Sequence, residues 1–123
     1  MQNGVVLARM KQTAASLLRT AENLPNTQAI VLETVSGNEY AAVIADALSA
    51  DHIDARALLE RLTDAEDTAV KWILCQWADG GVDLPSMAFR RMLCELSPEN
   101  LNAAVFLRTK DGYTVKPMGV TMK

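Results

Sequence analysis

Helical spacing of apolar residues is the feature that most constrains the fold of this chain. Between residues 5 and 23, apolar side chains alternate steps of three and four, and so line one helical face until Pro25 ends the helix. The same spacing recurs in residues 55–62, where Asp51 can cap the helix, and in residues 85–96. These segments predict that helix is the main element of the fold.

A further helix is predicted over residues 64–78. Thr63-Asp64-Ala65-Glu66 matches a capping box at its start, and Asp79-Gly80-Gly81 ends it. At 100° per residue the main apolar stripe includes Trp77, whereas Trp72 points about 200° away from Val70, on the opposite side of this helix. The predicted helix is therefore apolar on two sides, and Cys75 lies beside Trp72.

Two regions have the character of strands. Residues 29–35 are rich in β-branched side chains and lie between turn residues, which predicts a buried strand. Residues 104–109 and 113–118 flank Lys110-Asp111-Gly112 and predict a hairpin. Residues 39–48 fit a helix, but they could also form the second strand of a hairpin with residues 29–35.

The loop of the C-terminal hairpin decides its register. A three-residue loop with Gly112 at positive φ pairs Thr109 with Tyr113, and a two-residue loop would shift the pairing. We favour the longer loop because it gathers apolar side chains on one face. The residues of this face are Val105, Leu107, Tyr113 and Val115.

The sum of these elements predicts an α+β fold that is mostly helical. Four to five helices would pack with a small antiparallel sheet that includes the C-terminal hairpin. The chain has 123 residues, of which 50% are hydrophobic and 22% charged, and this composition suits a single globular domain over residues 1–123.

The sequence contains no recognised catalytic or metal-binding motif. The chain has one histidine, His52, and two cysteines, too few ligands for a structural zinc site of the usual type. The turn Ser36-Gly37-Asn38 lacks the second glycine and the lysine of a nucleotide loop. We therefore predict no catalytic residue, no cofactor and no metal, and no enzymatic activity.

Nucleic-acid binding is the alternative function. The C-terminal third is basic although the whole chain has a net charge of −3, which speaks against a dedicated nucleic-acid protein. Basic residues can nevertheless contact phosphates without any motif. The residues that would do so are Arg90, Arg91, Arg108, Lys110 and Lys116.

By elimination, the sequence predicts a small, non-catalytic binding or regulatory protein of the adaptor type. It would act in the cytoplasm through protein–protein contacts, with an unidentified partner or as a homodimer, and it has no apolar run long enough for a membrane span. The second apolar side of helix 64–78 and the matching side of helix 85–96 would form the interface. Its residues are Trp72, Cys75, Met87 and Cys94.

Overall fold

A five-stranded mixed sheet forms the centre of the computed structural model, which describes residues 2–20, 26–45 and 53–122. The strand order across the sheet is β2-β1-β3-β4-β5. The elements along the chain are α1 (Gln2–Thr20), β1 (Gln28–Thr34), β2 (Glu39–Ile44), α2 (Ile53–Asp64), β3 (Val70–Trp77), α3 (Met87–Leu96), a 3₁₀ helix (Pro98–Asn102), β4 (Ala104–Thr109), β5 (Gly112–Pro117) and α4 (Met118–Thr121).

The sheet combines two hairpins with two helical crossovers, of which α2 leads from β2 past β1 to β3 and α3 leads from β3 to β4. β1 pairs antiparallel with β2 and with β3, and β4 pairs antiparallel with β5. β3 and β4 are parallel, with Trp72 opposite Ala104. A parallel pair needs a long connection between its strands, and α3 supplies it.

Helices cover both faces of the sheet, so the inner strands are buried on both sides. On one face, Met10 and Ala14 of α1 pack in a cluster with Leu74 and Phe106. On the other face, α2 and α3 pack over a second cluster that contains Ile73 and other buried apolar side chains. The result is three layers, helix on sheet on helices, with β1 and β3 in the middle.

The prediction of a helix over residues 64–78 is wrong, because Val70–Trp77 is β3. The hydroxyl of Thr63 donates to the carbonyl of Leu59 at 3.1 Å, so the expected capping box lies at the end of α2 and opens no new helix. Glu66 has a φ of 54° in the turn that follows. A strand between two helical layers is apolar on both faces, and this two-sided pattern was interpreted as a two-sided helix.

The mostly helical fold with a small antiparallel sheet is also wrong. The region left open between helix and strand is β2 over Glu39–Ile44, and residues 46–48 and Asp51 lie outside the described residues. The predicted strand over residues 29–35 is confirmed as β1, and it joins the same sheet as the C-terminal hairpin. The predicted helices over residues 55–62 and 85–96 are confirmed as α2 and α3.

The C-terminal hairpin forms, but with a register different from the one predicted. Thr109 pairs with Gly112 around a two-residue turn, and Phe106 pairs with Val115. Val115 therefore packs with Phe106 on the α1 side, whereas Leu107 packs on the α2/α3 side. The positive φ predicted for Gly112 is confirmed at 143°.

Polar side chains tie the loops together at the end of the sheet where β3 begins. Asn100 is fully buried, and its side chain accepts from the amide of Val70 at 2.8 Å and donates to the carbonyls of Thr68 and Leu93, each at 2.9 Å. The carboxylate of Asp67 is reached by three donors in the same region. They are the hydroxyl of Thr34 at 2.8 Å, the amide of Asn38 at 2.9 Å and the hydroxyl of Tyr40 at 3.1 Å.

Candidate functional site

The candidate site lies at the end of the sheet where β2 and β3 terminate and from which the chain enters α2 and α3. This end is called the site edge below. β2 and β3 both end there and β1 begins there, since Gln28 pairs with Ile44 on one side and with Trp77 on the other. The chain leaves β2 and β3 at this edge to enter α2 and α3 respectively. In open α/β sheets, ligands bind outside the carboxyl ends of the strands.

Three side chains form a row across this edge on the α2/α3 face. They belong to Ile44, Gln28 and Trp77, which are directly paired, so their side chains point to the same side of the sheet. Ile44 is buried in the core, and Trp77 is partly buried and packs against that core. Gln28 is only 3% exposed, and its pairing with Trp77 puts the two side chains next to each other on this face.

The loop after β3 is held close to Trp77 by backbone hydrogen bonds. The amide of Trp77 donates to the carbonyl of Gly81 at 2.7 Å, and the amide of Asp83 donates to the carbonyl of Cys75 at 3.1 Å. Gly80 has a φ of 95°, a conformation that glycine adopts without steric cost. The loop thus folds back on the end of β3 before the chain enters α3.

A carboxylate lies in the first turn of α2. Asp54 accepts a hydrogen bond from the backbone amide of Ala45 at 3.1 Å, which links the start of α2 to the end of β2. The position of Asp54 suits the positive end of the helix dipole. A carboxylate at the site edge can accept or donate a proton.

The start of α3 is closed by its own side chains. Ser86 caps the helix, and its hydroxyl accepts from the amide of Phe89 at 3.1 Å. Phe89 is 1% exposed and belongs to the core under α2 and α3. Arg90 is buried, and it donates to the carbonyls of Pro85 at 3.0 Å and Thr121 at 2.5 Å. Burial lowers the pKa of Arg90, which the charge of Asp83 partly opposes.

The four predicted interface residues are not brought together on one surface. Trp72 is partly buried on the α1 side, where its ring stacks on Phe106 with centroids 5.3 Å apart. Cys75 is fully buried on the opposite face. Cys94 is partly buried against that same core, and Met87 is 36% exposed at the start of α3. Burial raises the pKa of both cysteine thiols.

The five predicted nucleic-acid residues are also divided. Arg90 is buried and bonded as described above, so its guanidinium is not presented to solvent. Arg91 is exposed on α3. Arg108, Lys110 and Lys116 are exposed on the C-terminal hairpin.

Other features lie away from the candidate site. An open groove of about 340 Å³ lies on α1, and Arg9 within it forms ion pairs with Glu33 and Glu39. Gln76 Oε1 is buried without a hydrogen-bond partner among the described residues, but Gln76 alternates with Trp77 and so points to the α1 side.

In the described parts of the chain, no helix is long and apolar enough to cross a membrane.

Comparison with known proteins gives a clear fold. No family model matches the chain. No curated protein matches it either. Among solved structures, the cytidine deaminase from Mycobacterium leprae matches with a TM-score of 0.67 at 14% identity, over 94% of this chain and 96% of that one.

Two further cytidine deaminases give the same result. The enzyme from Burkholderia pseudomallei matches with a TM-score of 0.66 at 16% identity, over 92% of this chain and 93% of that one. The enzyme from Bacillus anthracis matches with a TM-score of 0.67 at 13% identity, over 94% of this chain and 86% of that one. At such low identities the likeness shows a shared fold.

This likeness corrects the functional predictions made from the sequence. A non-catalytic adaptor and a chain without enzymatic character were inferred from the absence of motifs, and both predictions are wrong, because almost the whole chain has the fold of cytidine deaminases. The nucleic-acid alternative gains no support, because its five basic residues are divided between α3 and the C-terminal hairpin and Arg90 is buried. The three-layer fold directs attention to the candidate site at the starts of α2 and α3.

Proposed function

We propose that this protein takes up and acts on a pyrimidine nucleoside at the edge where α2 and α3 begin. The observation that supports the proposal most is that cytidine deaminases share its fold over 94% of its length. The edge is where the fold places the carboxyl ends of β2 and β3 and where an amide, an aromatic ring and a carboxylate lie near one another along the sheet.

The side chains at this edge suit a nucleobase. The ring of Trp77 offers an apolar surface for stacking, and stacking on an aromatic side chain tolerates any base because each base has a π face. The amide of Gln28 can both donate and accept, which matches the mixed donors and acceptors on the edge of a pyrimidine. Asp54 supplies the proton-transferring group.

Two single-tryptophan variants test the stacking. Trp72 and Trp77 are the two tryptophans of the chain, and they lie on opposite faces of β3. When cytidine is titrated into the Trp72→Phe protein, which keeps Trp77, the tryptophan fluorescence is expected to change until the binding site is saturated. The Trp77→Phe protein, which keeps Trp72, is the matched control and is expected to show no change. A response only from Trp72 would place the ligand on the α1 side and contradict the proposal.

Two glutamine variants test the recognition of the base. Gln28→Leu is expected to weaken nucleoside binding about tenfold, the equivalent of losing one hydrogen bond of roughly 1.4 kcal/mol. Gln76→Leu is the control, because Gln76 is equally buried on the same edge of the sheet but points to the other face. Isothermal titration calorimetry with cytidine and uridine measures both. Equal losses in the two variants would mean that neither amide contacts the base.

The variant Asp54→Asn tests whether the carboxylate of Asp54 takes part in turnover. Parent protein and Asp54→Asn are incubated with a panel of pyrimidine nucleosides, and the products are separated by liquid chromatography. The parent is expected to convert at least one nucleoside, and Asp54→Asn is expected to bind it while converting it at least a hundredfold more slowly, as general acid–base groups usually contribute. If Asp54→Asn converts the nucleoside as fast as the parent, Asp54 takes no part in the reaction.

We also propose that the protein is cytoplasmic and that copies of it associate through the region next to the site. Ile53 is 64% and Met87 is 36% exposed, and these apolar side chains begin α2 and α3. Among the four interface residues predicted from sequence, Met87 is the one that is open to a partner. Light scattering of Met87→Glu is expected to show a smaller mass than the parent, and Val120→Glu, on α4, is the control. A monomeric parent would contradict this part.

A further inference from the structure

Zinc is the cofactor that the fold implies, because cytidine deaminases carry a zinc ion that activates water. The signature of these zinc sites is H-x-E followed by P-C-x-x-C, in which one histidine or cysteine and two cysteines bind the metal and the glutamate transfers protons. In this chain two segments enter the helices at the site edge. They are Ile53-Asp54 at the start of α2, preceded in sequence by His52, which lies outside the described residues, and Pro85-Ser86-Met87-Ala88-Phe89 before and within α3.

The second segment does not fit a zinc ion. It keeps the proline of the signature, but both cysteine positions are changed, to Ser86 and Phe89. The hydroxyl of Ser86 is used as the cap of α3, and Ser is not among the usual zinc ligands. Phe89 carries no donor atom and is buried in the core at 1% exposure. The thiolate pair is thus replaced by a helix cap and an apolar core residue.

The two cysteines present cannot take over this role. Cys75 lies in β3 and is fully buried, and Cys94 lies on α3 more than one turn beyond Phe89. Burial raises the pKa of both thiols, whereas zinc binds the deprotonated thiolate. In the described parts of the chain, no group of three His, Cys, Asp or Glu side chains could hold a metal ion.

We infer that this protein uses the nucleoside site of the deaminase fold without a zinc ion. In sequence, the first segment keeps the histidine as His52 and a shortened carboxylate as Asp54, whereas the second segment lacks the thiolates that would hold a metal. The inference rests on the two helix-start segments, and for its ligand class it rests on the proposed function.

Metal content provides the first test. The parent protein is expressed in zinc-supplemented medium, dialysed, and analysed by inductively coupled plasma mass spectrometry. We expect far less than one zinc per chain. We also expect that added Co²⁺ produces no thiolate-to-cobalt absorption band. One tightly held zinc per chain that survives the dialysis would overturn the inference.

Restoring the cysteines provides a positive control. Ser86→Cys combined with Phe89→Cys returns the P-C-x-x-C pattern, and with His52 it supplies three ligands of the zinc type. The folded double variant is expected to gain about one zinc per chain and a cobalt–thiolate band, and a folded variant that binds no metal would contradict the assigned correspondence. Since loss of the buried phenylalanine could unfold the chain, the metal content of the parent decides the inference in that case.

The nucleoside titration separates this inference from the proposed function. The fluorescence titration of the Trp72→Phe protein with cytidine is repeated in the presence of EDTA and again with added zinc. Equal affinity in all three conditions supports binding without metal, and loss of binding or of turnover in EDTA overturns it. Absence of nucleoside binding in every condition defeats the proposed function, while the metal content still stands as the test of the zinc site.

Discussion

The two ends of the central sheet use their polar side chains in opposite ways. Where β3 begins, Asn100 and Asp67 are buried and each satisfies three hydrogen bonds with neighbouring loops. Where β3 ends, Gln28 pairs with Trp77, and the chain leaves β2 and β3 at this end to enter α2 and α3. The buried hydrogen bonds at the first end stabilise the fold. The second end carries the amide and the aromatic ring of the proposed site. Substitutions at the two ends should therefore separate stability from ligand binding.

The largest effect is expected from Asn100→Leu. The substitution leaves the amide of Val70 buried without its partner and removes one donor from the carbonyls of Thr68 and Leu93, although Leu93 still accepts from the amide of Ser97, so the free energy of unfolding should fall by roughly 2–3 kcal/mol. Urea denaturation measures the change, and the exposed Asn102→Leu in the same 3₁₀ helix is the control. Where the variant is folded, its nucleoside affinity should equal that of the parent. A loss below 1 kcal/mol would show that Asn100 is not an anchor.

A smaller and pH-dependent effect is expected from Asp67→Asn. Hydrogen bonds, first from Asn38 and then from Thr34, lower the pKa of Asp67 against the opposing effect of burial. A lowered folded-state pKa stabilises the fold above the unfolded pKa of about 3.9, and this stability is lost as the pH falls through the folded value. The parent should lose stability as the pH falls below about 5, and Asp67→Asn should lose less stability over the same acid range.

The matched control for this prediction is Asp64→Asn, an exposed carboxylate at the end of α2. Thermal unfolding of the three proteins across that pH range provides the comparison. If Asp64→Asn and Asp67→Asn flatten the pH profile equally, the buried hydrogen bonds are not the source of the acid sensitivity.

The smallest effect is expected in the C-terminal hairpin. Gly112 has a φ of 143°, which a β-branched residue adopts only with strain, so Gly112→Val should cost about 1–2 kcal/mol of stability. Thr114→Val, at an exposed position of the same strand, controls for the added side chain. A Gly112→Val protein that melts with the parent would mean that the turn relaxes freely.

The sequence predicted those elements that have either a one-sided apolar pattern or clear turn residues at their ends. α2 and α3 were found because one face of each helix is apolar, and β1 was found because turn residues bound a β-branched run. β3 was missed because a strand buried on both faces loses its alternation, and its apolar residues also fit helical spacing. The parallel pairing of β3 with β4 depends on contacts distant in sequence, which no local pattern reports.

The site was missed for a different reason. Gln28 and Trp77 are distant in sequence and meet only through the register of β1 with β3. Pro85 with Ser86 was interpreted as a simple helix start, which it is, because the changed cysteine positions remove the pattern that identifies zinc deaminases. The zinc pattern is divided between the starts of two helices. It can be compared with this chain only once the fold shows that α2 and α3 begin at the same end of the sheet.

The most direct test of the account is a chemical-shift map of the two ends of the sheet. Cytidine is titrated into ¹⁵N-labelled protein in the presence of EDTA, and the side-chain signals of Trp77 and Gln28 are followed beside those of Trp72 and Asn100. The account predicts saturable shifts of Trp77 and Gln28 with Trp72 and Asn100 unchanged. Shifts confined to Trp72 or Asn100, or no shift at any nucleoside concentration, would contradict it.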